Sequence, residues 1–444
     1  MEEVTMDRLV SLCKRRGFIF QSSEIYGGLA SAWDYGPLGI ELKRKLHDCW
    51  WREMTQLNEN IVGVDAAIMM HPRVWEASGH VENFTDPLVD CKSCRRRFRV
   101  DQIETSTTDS PARCPECGGL LSSPRMFNLL FQTHMGPLQD EASVVFLRPE
   151  TAQGSYVNFK NVLQTSRLKI PFGIAQVGKA FRNEITTKNF IFRTCEFEQM
   201  EMQFFVNPAD DQKWFEHWKE RRFNYYTELG IRKDKLRFHQ HGPDELAHYA
   251  KIAFDIEYEF PFGWKELEGV HNRTDYDLRR HAEYSGKDLT CLDDSTGERI
   301  VPYVIETAAG LTRTVLVVLS DAYDQEEVEG ETRVVLRLHP RIAPVTVGVF
   351  PLVKKDGLAE IAREIEGDLR QEFATFYDQG GAIGRRYRRQ DEIGTPFCIT
   401  VDYQTKEDRS VTLRSRDTME QVRVGIDLLI PTIRDQIKGY RRVC

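Results

Sequence analysis

GKAFRNEITTKNFIFRTCEFEQMEMQFF, residues 178–205, reads as two extended halves around a loop at about Ile185 to Phe190. A period of two puts Arg182 and Glu184 on one face of the first strand. In the second strand Phe197, Gln199 and Glu201 share a face, and Met200, Met202 and Phe204 take the other. One surface is polar and charged around a single aromatic ring, and its back is apolar. Taken alone, this is an antiparallel hairpin with a solvated outer face.

Two further segments change that interpretation. RPETAQG, residues 148–154, and VIETAAGLTRTVLVVL, residues 304–319, each put a glutamate at a strand-to-turn junction beside small residues. The second runs into a helix with Arg313 in its first turn, and a helix start carrying an arginine is an anion site. Around these segments the chain is regular. Leu9, Leu12 and Cys13 predict a short amphipathic helix ending at Gly17. Pro37 opens a helix to about Gln56 whose apolar face, Leu38, Leu42, Leu46, Cys49 and Trp50, is core or a subunit contact. Residues 210–229 read as an aromatic-rich helix and 251–260 as a strand. The acidic segment Asp324 to Glu331 reads as a linker. Beyond it come a β-rich run (Val345 to Val353), a helix (Gly357 to about Thr375), a strand (Phe397 to Tyr403) and a long last helix, an α/β order.

Cys91-x2-Cys94 and Cys114-x2-Cys117 have the spacing of a tetrathiolate zinc site, which with four sulfurs has no open position and is structural. The alternatives are two disulfides or four free thiols; the scattered remaining cysteines fit a reducing compartment. Within residues 91–125 the polar stretch Thr105 to Pro111 reads as a mobile loop.

Several of these segments together resemble one family. FRNE, a loop and FRTCEFEQME are similar to the second signature motif of class II aminoacyl-tRNA synthetases, ETAAGLTR to the third, and the helix after YGPLG to the first, which in that class lies at the dimer interface. WDYGPLGIELK, VWEASGHVENFTDPLVDC, RPETAQG, ELEGVHNRTDYDL and GRRYRRQDEIGTPFCITVD extend the resemblance to the dimeric glycyl branch over nearly the whole chain. It implies an α+β fold. Residues 1–330 would form a catalytic domain on an antiparallel sheet flanked by helices, with a zinc-bearing insertion at 88–125. Residues 335–444 would form an α/β anticodon-binding domain.

The resemblance also implies site roles and partners: glycine, ATP with Mg2+, tRNA(Gly) and a second copy of the chain. Arg182 would grip the α-phosphate, and Arg193 and Arg313 the β and γ phosphates. Phe197 would stack on adenine with Arg313 on its other face, and Glu184 would accept from the adenine amino group. Asn183, Phe192, Glu266, Leu267 and Gly310 would complete the ATP site. Glu150, Glu201 and Glu306 would face the glycine ammonium, with Arg99, Phe197, Gln199, Arg273 and Gly310 around it. Three such carboxylates, left unpaired, raise one another's pKa. Arg385, Arg386, Tyr387, Arg388 and Arg389 would meet tRNA by phosphate contact and base stacking.

Two positions depart from the family pattern. Ala308 stands where a serine is usual, and Cys195 where the second motif has a further arginine. The net charge of -8 argues weakly against a nucleic-acid partner but leaves room for a local basic surface. No apolar run approaches the ~20 residues of a membrane helix, and the acidic start MEEVTMDRLV is unlike a presequence, so the expected setting is cytoplasmic. Two other functions compete. A catalytically silent relative would be expected to lack the ATP arginines, and a sister enzyme for another amino acid is poorly served by a small, triply acidic pocket.

Overall fold

The computed structural model describes residues 4–100, 103, 113–137, 143–185, 187, 189–247, 249–294 and 296–441. Thr105 to Pro111 lie outside the described residues.

The central element is a seven-stranded sheet. Its order is Leu236–Gln240, Ile252–Phe260, Gly263–Thr274, Tyr303–Gly310, Glu196–Val206, Phe172–Phe181 and Ile61–Gly63. Every pairing is antiparallel except the last, which is parallel. The alternation in Glu196–Val206 works as the sequence predicts: Met200, Met202 and Phe204 are buried in the main core, each contributing about 1.5–3 kcal/mol. Leu311–Ala322 covers that apolar back through Leu311, Val315 and Leu319. Behind Gly263–Thr274, the helix Asp211–Glu228 is fixed by a fully buried pair, Arg222 Nε to Glu268 Oε1 at 2.6 Å, with the Tyr226 hydroxyl donating to Oε2.

Met6–Arg16 is a helix capped by Gly17 in the left-handed region, φ 74°. The helix opened by Pro37 runs to Trp51 and continues as one π turn to Gln56. Leu42, Leu46 and Trp50 go into the core. Gly39 is needed here for space, since a Cβ would overlap the Phe18 carbonyl oxygen.

Three expectations change. The first strand ends at Phe181, so Arg182 and Glu184 follow it as irregular chain and share no strand face. Glu306 lies inside Tyr303–Gly310, not at its end. The acidic segment is no linker: Tyr323–Val328 pairs with Glu331–Leu336 as a hairpin. Its carboxylates are spaced to face arginines, Asp324 and Glu326 reaching Arg337 at 2.8 and 3.0 Å.

Farther on, a second sheet has the order Thr375–Tyr377, Val347–Pro351, Phe397–Val401, Ser410–Ser415 and Gln421–Gly425, with its own apolar core. The first helix here, Leu358–Leu369, stops before Thr375, and Ile383–Ile393 carries the basic run. A three-stranded sheet, Arg97–Arg99, Thr85–Asp90 and Arg125–Asn128, carries the cysteine pairs. No helix among the described residues is long and apolar enough to cross a membrane.

Candidate active site

A cavity of about 230 Å³ opens on the polar face of the central sheet. Its floor follows from strand register. Gln203, Glu306 and His271 form one cross-strand row, and Glu201, Ala308 and Gly269 the next. The register shift between Ile256 and Glu257 makes Leu267 an extra residue, a bulge that resets the alternation. Glu266 therefore shares the cavity with His271 and Arg273, while Leu267 is wholly buried in the core. Leu267, expected in the ATP site, is therefore not among the residues that line the cavity.

Arg182, Glu184, Phe192, Arg193, Phe197, Gln199, Glu266, Gly310 and Arg313 line the cavity together with Glu150, Glu201, Arg273 and Glu306. Arg182 is aimed by its Nε bond to the Pro149 carbonyl, 3.0 Å, and lies 5.3 Å from the Phe197 ring. Arg313 lies 4.5 Å from the Phe192 ring and donates to the Glu266 carbonyl at 3.0 Å. Arg193 approaches Glu184 only to 3.8 Å. Two buried acceptors, Glu184 Oε2 and Gln199 Oε1, have no hydrogen-bond partner among the described residues, a costly state that a ligand donor relieves.

Asn183 and Arg99 are elsewhere. The Asn183 main-chain N–H donates to the Leu129 carbonyl at 2.8 Å, and Arg99 pairs with Asp86 at 2.7 Å in the cysteine-bearing sheet. Cys195 precedes its strand and is not on the Phe197 face; its thiol donates to the Glu184 carbonyl at 3.6 Å.

The three carboxylates do not behave alike. Burial pushes Glu201 up, and Glu306 and Glu150 add to it, raising its pKa to about 8. Burial acts on Glu306 too, but Arg273 at 3.2 Å and His271 at 2.9 Å overcome it and bring the pKa down to about 2. Glu150 is likewise held well below the usual carboxylate range against burial, by His80 at 3.5 Å and Arg273. Mutual elevation therefore holds for Glu201 alone, because cations stand beside the other two. Arg273 is itself saturated: it grips Asp277 at 2.8 and 3.0 Å and stacks 3.9 Å from Tyr249.

Sequence reasoning missed His271, His80 and Tyr249. His271 was within reach, being two residues before Arg273 on one strand and so on its face.

The four cysteine sulfurs of the two pairs lie within 4.8 Å of one another. The Cys91 to Cys117 and Cys94 to Cys114 separations are 3.5 and 3.7 Å, near the ~3.8 Å edge of a tetrahedron with ~2.3 Å metal–sulfur bonds. In the basic run, Arg386 is buried and donates to the carbonyls of Pro351, Asp378 and Leu352. The Tyr387 hydroxyl bonds Thr400 at 2.5 Å, and Arg389 pairs with Asp378 at 3.0 Å. Arg386 is thus a structural tie and no tRNA phosphate ligand, and Tyr387 is half-buried against its own sheet. Arg385 is exposed and Arg388 half-buried.

Comparison with known proteins agrees with this geometry. Residues 131–322 match the tRNA synthetase class II core domain (G, H, P, S and T), and residues 346–436 match the anticodon binding domain. The chain is 65% identical to a glycine–tRNA ligase of Treponema denticola over 99% of both chains. It is 58% identical to that of Treponema pallidum over 98% of this chain and all of the relative, and 58% to that of Borreliella burgdorferi over 99% of both. The chain belongs to the glycine–tRNA ligases, a family of class II aminoacyl-tRNA synthetases.

Proposed function

We propose that the protein joins glycine to tRNA(Gly) in two steps driven by ATP. The observation that carries this is the convergence of Glu150, Glu201 and Glu306 with Arg182, Arg193 and Arg313 in one cavity. Glycine has no side chain to grip, so recognition falls on its ammonium and on exclusion of anything larger. In the first step a glycine carboxylate oxygen attacks the α-phosphorus and pyrophosphate leaves. The nucleophile is already an anion near neutrality, so no general base is needed. The requirement is position and positive charge, which Arg182 supplies at the reacting phosphate and Arg193 and Arg313 at the leaving group. ATP enters as its magnesium complex.

Phe197 supports the adenine ring, and Glu184 Oε2, which accepts no hydrogen bond among the described residues, takes its amino hydrogen. In the second step the terminal 3'-hydroxyl of tRNA attacks the glycyl carbonyl and AMP leaves. Labour is divided between residues 1–330, which catalyse, and residues 335–444, which hold the anticodon arm, with Arg385 and Arg388 at the phosphates. The four cysteines hold Zn2+, which supplies structure to the 88–125 insertion.

The working form is a homodimer. Ile25, Tyr26 and Leu29, at 88%, 87% and 60% exposure just before the first-motif helix, offer apolar surface for it. The other described cysteines, Cys13, Cys49, Cys195, Cys291 and Cys398, are free thiols, as suits a reducing, cytoplasmic setting.

The test is charging. With tRNA(Gly), magnesium and ATP, labelled glycine should accumulate on tRNA and labelled alanine should not; no glycine above a no-enzyme blank contradicts the assignment.

A further inference from the structure

Glu306 is held from both flanks. On one side Gln203 Nε2 donates to its Oε2 at 2.7 Å, while Gln203 Oε1 accepts from the Tyr156 hydroxyl at 2.6 Å. On the other, His271 Nδ1 stands 2.9 Å from Glu306 Oε1. An ionised carboxylate only accepts, so Nδ1 carries the hydrogen. Arg273 Nη1 reaches both oxygens at 3.2 Å. Gln203 and His271 are the strand neighbours of Glu306, so their donors hold the carboxylate from opposite sides.

The imidazole needs room to do this. Gly269 sits between Asp255 and Ala308 in the adjoining row. A Cβ at Gly269 would lie 2.9 Å from both Cε1 and Nε2 of the His271 ring and 3.6 Å from Asp255 Oδ1. The ring therefore lies over a bare Cα, and even a methyl group there would force the ring to shift. The need is for space, since Gly269 is not in the left-handed region.

Resting on the assignment of the glycine ammonium to Glu306, we infer that His271 is a positioning residue for glycine. It orients Glu306 through Nδ1, and Gly269 is the gap that admits its ring. The contribution is to pre-set one acceptor, so its loss falls on glycine and spares ATP.

ATP–pyrophosphate exchange, with glycine and ATP varied in turn, tests this in wild type, His271→Ala, His271→Asn, Gly269→Ala and the double alanine variant. His271→Ala should raise the glycine KM at least about tenfold and leave the ATP KM within about twofold. Asparagine keeps a donor near the δ position and should recover most of the loss. Gly269→Ala should resemble His271→Ala, and the double variant should be no worse than His271→Ala, because both changes break one contact. An unchanged glycine KM in His271→Ala, no effect of Gly269→Ala, additive penalties, or an ATP KM that rises equally would each overturn the inference. Absence of glycine-dependent exchange in the wild type is a different failure, that of the ammonium assignment itself.

Discussion

Glu201 stands directly across the strand pair from Ala308, so a buried carboxyl and a methyl group lie side by side on the cavity floor. Glu201 has two hydrogen-bond donors, Thr151 at 2.5 Å and Gln199 at 2.8 Å, and no cation within ion-pair distance among the described residues. An ammonium bound there supplies the missing charge.

The pH dependence of glycine binding follows. Burial, with Glu306 and Glu150 nearby, raises Glu201 to about 8, so the empty site holds its proton near neutrality. A cationic ligand prefers the ionised form, and binding below that pKa must expel the proton. The glycine KM should therefore fall as pH rises from about 6.5 towards 8, by up to about tenfold per unit, and level off above it. Glu201→Gln should bind glycine more weakly and show a flat profile; a wild-type profile equally flat contradicts the assignment.

Ala308→Ser restores a hydroxyl beside Glu201. The expected result is a glycine KM lower by about fivefold, one net hydrogen bond, with stronger rejection of alanine. Exchange kinetics with both amino acids check it, and an unchanged or higher glycine KM would show that this site works without the hydroxyl.

The four cysteines should retain about one zinc ion per chain through dialysis, since structural tetrathiolate sites bind with about 10 kcal/mol or more. Cys91→Ser with Cys114→Ser should lose the metal and become open to protease within residues 88–125. Elemental analysis showing no zinc in the wild type would refute the site.

Arg386 and Arg385 should separate cleanly. Arg386→Ala strips three carbonyls of their donor and should destabilise its own sheet by about 3 kcal/mol, seen as a lower unfolding midpoint. Arg385→Glu with Arg388→Glu should keep the midpoint and the adenylate step but weaken tRNA charging. Equal loss of both steps would argue against the division of labour.

What the sequence disclosed and what it concealed have physical causes. Alternation was readable where one face of a strand lines a polar cavity and the other packs into the core, as at Phe197 to Phe204. It failed at Arg182 and Glu184, because the strand had already ended at Phe181. Asp324 to Glu331 has the composition of a linker because its arginine partners come from the returning strand and beyond, out of local view. Arg386 looked like its neighbours until the helix turned it inward. The three glutamates were found together, but their unlike pKa values depend on where Arg273, His271 and His80 stand beside them, which the fold decides.

The central claim is that one cavity brings the smallest amino acid and a nucleotide together, and ATP–pyrophosphate exchange by the purified chain tests it most directly. The account predicts exchange that depends on glycine, is weak with alanine, and drops by about a hundredfold or more in Arg182→Ala. Exchange with glycine no greater than without any amino acid would contradict it.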